Sequence, residues 1–119
     1  VNTLLVAGVL GALGVVAGAF GAHGLEGRVA PERLETWRVG VLYHLVHALA
    51  LLGVAALGRA GFPGTGPAAQ LFTWGTVVFS GTCYALTFDV PRWLGAITPL
   101  GGLMLVGGWL ALAWAARGS

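Results

Sequence analysis

Residues 3–22 read TLLVAGVLGALGVVAGAFGA, twenty positions without a single charged residue. A helix rises about 1.5 Å per residue, so such a run spans the ~30 Å hydrocarbon core of a bilayer. Three more blocks of the same character follow, at residues 37–57, 69–88 and 94–116. The blocks predict four transmembrane helices, with approximate bounds 3–22, 31–57, 69–88 and 94–116. The fold class is therefore all-α: an integral membrane four-helix bundle with short connections, forming one transmembrane domain over residues 1–119.

Composition supports this class. Hydrophobic residues make up 57% of the 119 positions and charged residues only 8%, with a mean hydropathy of +0.87. Soluble domains carry about a quarter charged residues. The net charge of +2 arises from six arginines against four acids, and lysine is absent. No basic run with interleaved aromatics exists to follow a phosphate backbone, which argues against nucleic acid as a partner. Cys83 is the single cysteine, so no intrachain disulfide is available. The first block lacks a basic leader and is longer than the usual signal-peptide core, so it reads as a helix that is kept.

The connections set the ends of the helices. Residues 24–36 hold Glu26, Arg28, Glu32, Arg33 and Glu35, and Pro31 suits the first turn of the second helix. That helix is expected to be the longest. Residues 58–67 are rich in Gly and Pro and make a turn. Asp89, Pro91 and Arg92 occupy the third connection, where an interfacial Asp89–Arg92 pair or a turn is expected, and Thr98-Pro99 starts or kinks the fourth helix. Trp37 and Trp93 mark one membrane boundary, Trp74 and Trp114 the other. Four spans put both termini on one side. Arg28, Arg33, Arg38 and Arg92 lie opposite them, against Arg59 and Arg117 on the terminal side. Counting basic residues favours termini outside the cytoplasm, by a margin of two.

Small residues recur along the first helix at Ala7, Gly11, Gly14, Gly18 and Gly21, all on one face. In lipid, where helices gain little from hydrophobic burial, such a face lets backbones approach and pack. Packing within the chain is favoured over a homo-oligomer seam. Gly101, Gly108, Ala111 and Ala115 form a shorter version on the fourth helix. Together the two stripes predict that the first and fourth helices are central or face each other.

The second helix carries Tyr43, His44 and His47, and the third a polar stripe that includes Thr76, Ser80 and Tyr84 beside Cys83. Ionisable groups inside a bilayer are functional candidates by default. If the boundary lies at Trp37, His44 sits roughly 10 Å deep and His47 roughly 14 Å deep. An antiparallel hairpin then sets His47 level with Ser80, and His44 level with Tyr84 and Cys83. Imidazole–hydroxyl bonds would satisfy both partners where no water reaches. Interhelical polar glue is the favoured reading of this cluster, ahead of a proton or solute site. His23, at the end of the first helix, is separated from His44 by about 10 Å in depth. Zinc–nitrogen bonds of about 2.0–2.1 Å argue against their sharing a metal unless the first helix kinks, and haem ligation meets the same objection. No metal and no cofactor is expected. His23 is instead read as capping the first helix, with Gly24 as the residue beyond.

Several runs are specific: Gly18-Ala19-Phe20-Gly21-Ala22-His23-Gly24-Leu25, Tyr43-His44-x-x-His47-Ala48-Leu49-Ala50-Leu51-Leu52, Phe79-Ser80-Gly81-Thr82, and Leu94-Gly95-Ala96-Ile97-Thr98-Pro99-Leu100-Gly101-Gly102 with Gly108-Trp109. On these the chain resembles the transmembrane protein 256 family, whose bacterial members form domain of unknown function family 423. The resemblance implies a small four-helix protein of the bacterial plasma membrane and implies no activity. No nucleophile–base–acid set, carboxylate pair, P-loop or CxxC motif is present, so an enzyme is the least supported class. The leading expectation is a structural or accessory membrane protein. A small carrier or channel using His44 and His47 comes next, and a lipid binder third. Membrane lipids are the expected partners, with a homo-oligomer as an option and no soluble substrate.

Overall fold

The computed structural model describes residues 2–119. Helix α1 (Thr3–Phe20) runs into a π-helical turn, Gly21–Leu25; α2 (Pro31–Arg59), α3 (Gly66–Leu86), a 3₁₀ turn (Arg92–Ala96) and α4 (Thr98–Ala116) follow. Among the described residues there is no strand. The bundle measures 49 × 26 × 21 Å, long enough to cross a bilayer along its principal axis.

Local chemistry sets the helix ends. Asn2 caps α1, its side-chain oxygen accepting from the Leu5 N–H at 3.1 Å. Pro31 and Pro99 occupy first-turn positions of α2 and α4. Helix α2 is the longest at 29 residues and ends in a Schellman turn. Gly61, at φ +90°, lets the Phe62 N–H reach back to the Leu57 carbonyl.

Successive helices pack antiparallel in chain order: α1 on α2, α2 on α3, α3 on α4. This corrects the expectation that the first and fourth helices are central or face each other. The two inner helices are α2 and α3, while α1 and α4 flank them and turn most of their surface outward. A glycine face shows that a helix packs closely but not which neighbour it meets. Both termini lie at the same end as the α2–α3 turn: Asn2 and Thr3 border a pocket with Arg59 and Thr65, and Gly64 packs near Ala115. At the other end Arg33 of α2 pairs with Asp89 at 3.0 Å, in place of the expected Asp89–Arg92 pair. Both partners are solvent-exposed, so the pair adds little stability.

Three segments are long and apolar enough to cross a membrane: Thr3–Leu25, Pro31–Arg59 and Arg92–Ala116. Helix α3 falls below that mark because of its polar stripe, which nevertheless points between helices. Thr76, Ser80 and Cys83 are buried there along with Phe72. At 21 residues α3 covers the same thickness as its neighbours.

Glycines draw the helices together at defined points. A Cβ at Gly14 would stand 2.6 Å from Leu45, one at Gly40 2.8 Å from Cys83, and one at Gly108 2.6 Å from Phe72. At Gly101 the obstacle is the backbone of Phe79 itself, its Cα only 2.7 Å away. Gly11 differs: nothing lies within 4 Å of a Cβ there, so it does not pack inside the chain as the stripe suggested. Gly101→Ala is expected to lose about 1–3 kcal/mol through forced separation of α3 and α4. Gly11→Ala is expected to leave stability unchanged or slightly raised. Thermal unfolding of the two variants in the same detergent checks this, and equal losses would refute the assignment.

Candidate functional site

Five hydrogen bonds tie the four helices together at different depths, and side chains supply at least one partner in each. Trp37 on α2 donates its indole N–H to the Ala17 carbonyl of α1 at 2.8 Å. Ser80 on α3 donates to the Gly40 carbonyl of α2 at 2.7 Å. His44 Nδ1 on α2 bonds the Tyr84 hydroxyl of α3 at 2.7 Å. Trp109 on α4 donates to His47 Nε2 on α2 at 3.0 Å. Thr82 on α3 and Thr98 on α4 bond through their hydroxyls at 2.6 Å.

The His44–Tyr84 pair is the one that helix depth anticipated. His47 and Ser80 do not share the expected level: Gly40 lies against Cys83 and Tyr84, and His47 packs beside Phe72. Ser80 instead takes a backbone carbonyl at the point where Gly40 admits α3 closest to α2. His47 turns towards α4. Its Nδ1 lies 2.8 Å from the Tyr43 carbonyl, which can only accept, so Nδ1 carries the proton. Nε2 accepts from the Trp109 indole, so it bears the lone pair. The two bonds define one tautomer of neutral imidazole and leave neither nitrogen free. Tyr43 itself is half-exposed on the lipid-facing side, with its ring 4.7 Å from Phe79.

His44 is less completely satisfied. Its Nε2 is buried without a hydrogen-bond partner, the Leu10 backbone on α1 lying nearby but outside bonding geometry. The Thr76 hydroxyl is likewise buried and unpaired. The helix register places Thr76 opposite the His44–His47 turn.

Trp37 does not face outward as a boundary tryptophan commonly does. It is buried, with ring centroids 4.5 Å from Tyr84 and 5.5 Å from Phe20. Its indole fits against Gly21, where a Cβ would come within 2.7 Å, and takes the Ala17 carbonyl. The turn that follows, Gly21–Leu25, is π-helical rather than α-helical. Consequently His23 and Gly24 do not form the expected cap. His23 is exposed on the π turn, Gly24 lies over the Phe20 ring, and the left-handed residue is Gly27, at φ +79°. Among the described residues no three His, Cys, Asp or Glu side chains gather closely enough to hold a metal ion.

Gly40, Trp37 and Trp109 are the contributors that sequence reasoning missed. A signal for Trp109 was present: it lies eleven residues into α4, about 16 Å deep, where tryptophan is not held by an interface.

The family described as "Protein of unknown function (DUF423)" matches residues 17–102. The UPF0382 membrane protein YwdK of Bacillus subtilis is 42% identical over 118 residues, covering 97% of this chain and 96% of that protein. A UPF0382 membrane protein of Staphylococcus haemolyticus is 41% identical over 87% of this chain and 88% of its own length. One from Schizosaccharomyces pombe is 37% identical, over 90% and 94%. No solved structure matches.

If the His47–Trp109 bond is a structural tie, a double-mutant cycle on His47→Phe and Trp109→Phe will return a coupling of about 0.6–1.7 kcal/mol. Nitrogen NMR at neutral pH should find His47 protonated at Nδ1 alone. A coupling near zero, or a proton on Nε2, would exclude the bond.

Proposed function

The chain belongs to the DUF423 family of membrane proteins of unknown function, and from that premise we propose that it is a structural or accessory component of the bacterial plasma membrane, without chemistry of its own. The observation that carries this reading is the use made of the intramembrane polar groups. His47 spends both ring nitrogens, and Ser80, Tyr84 and Trp109 each bond across a helix interface. A translocation site needs polar groups facing a path. Here the polar groups face one another, and the pockets open on the outer surface along grooves between helices.

The orientation that follows from the basic residues is termini outside, with Arg28, Arg33, Arg38 and Arg92 towards the cytoplasm. A second reading, a proton or solute carrier, is favoured by one observation: the His44 Nε2 and the Thr76 hydroxyl lack partners.

Flux separates the two. Proteoliposomes with an internal pH dye should show proton leakage no greater than protein-free liposomes across an imposed gradient. His47→Leu should lower the melting temperature in detergent and change no flux. Proton or solute flux above the liposome background that His44→Gln abolishes while the fold persists would establish the carrier instead.

A further inference from the structure

On the outer side of α1 and α2 runs an apolar groove of about 470 Å³, walled by Leu4, Leu45, Leu49 and Leu52 with Gly8 and Gly11 opening its floor. It extends from Leu4 to Val15 on α1, eleven helical steps or roughly 16 Å. That is the depth of one leaflet, half of a ~30 Å core. The inner end closes where Gly14, Gly18 and Gly21 bring α1 against Leu45, Val41 and Trp37. The outer end meets a polar pocket at Asn2, Arg59 and Thr65, with Leu4 shared between the two. On α2 the stripe is continuous, since Leu45, Ala48, Leu52, Ala55 and Arg59 follow at helical spacing.

The charge distribution identifies the occupant. All four acids, Glu26, Glu32, Glu35 and Asp89, belong to the far end of the bundle, where four arginines balance them. The +2 side-chain charge of the chain therefore resides entirely at the terminal end, on Arg59 and Arg117. Among the described residues Arg59 has no ion-pair partner. A groove one leaflet deep, apolar throughout and opening beside an unopposed arginine, fits an amphiphile with one chain in the groove and an anionic head at its mouth. We propose that the α1–α2 groove binds an anionic phospholipid from the leaflet at the terminal end. An acyl chain lies over Gly8 and Gly11, and the phosphate is held by Arg59 with Asn2 and Thr65.

Native mass spectrometry of the full chain released from phosphatidylcholine nanodiscs doped with phosphatidylglycerol tests this. The wild type should retain phosphatidylglycerol in preference to phosphatidylcholine. Arg59→Gln should lower that retention about fivefold, as loss of one interfacial charge contact implies. Arg117→Gln, away from the groove, should not. Gly11→Leu should empty the groove at unchanged helicity and melting temperature, because the added side chain enters open space. Gly8→Leu repeats the test should that variant misfold. Equal retention of the two lipids, unchanged retention in Arg59→Gln or in both glycine variants, or equal losses in Arg59→Gln and Arg117→Gln would overturn the site. So would a dimer that Gly11→Leu dissociates with no lipid involved, which would make the face a seam between two copies.

Discussion

A donor placed in hydrocarbon has no water to fall back on, and its partner must come from the protein. The indole N–H of Trp109, roughly halfway along its helix, meets this constraint by bonding His47, and much of the interior arrangement follows. For Nε2 to accept, the imidazole must carry its proton on Nδ1, and that proton then needs the Tyr43 carbonyl one turn back. The bond fastens α4 to α2 although the two helices otherwise meet little and an apolar groove separates them further along. Ser80, Tyr84, Thr82 and Trp37 repeat the solution at the other helix interfaces. Individually these bonds are weak, averaging about 0.6 kcal/mol in membrane proteins, but each is directional and together they define one register.

The glycines divide into two groups with opposite roles. Gly14, Gly40, Gly75, Gly101 and Gly108 face inward and remove the side chains that would otherwise hold the helices apart. Gly8 and Gly11 sit on the same helix as Gly14 yet open onto a groove. Helix α1 thus approaches α2 closely in its second half and leaves a lipid-facing hollow along its first.

Much of the architecture was legible in the sequence because run length and hydropathy report directly on the solvent. The four helices and the long α2 follow from the apolar blocks, from Pro31 and from the Gly-Pro turn. Depth counting along an antiparallel hairpin brought His44 and Tyr84 together. What was not legible depended on which neighbour a face meets. Glycine stripes on the first and fourth helices suggested a central pair, whereas those helices flank the bundle. The position of Trp37 at the end of an apolar block gave its level but not its burial. Its burial depends on Gly21 and Ala17 across the interface, and no local pattern encodes that pairing. The same is true of the π turn, which lengthens the first helix past His23. His47 was expected level with Ser80, but the register sets Ser80 at the Gly40 carbonyl, and His47 bonds Trp109 on a third helix instead.

The central claim is that the interhelical hydrogen bonds within the bundle, Trp109–His47 above all, are shielded from water. Hydrogen–deuterium exchange of the tryptophan indole N–H groups in lipid nanodiscs, followed by NMR, tests it most directly. The account predicts slow exchange at Trp109 and Trp37, comparable with amides in the middle of α2, and fast exchange at Trp93 and Trp114. Fast exchange at Trp109 would mean that water reaches His47, and would contradict the account.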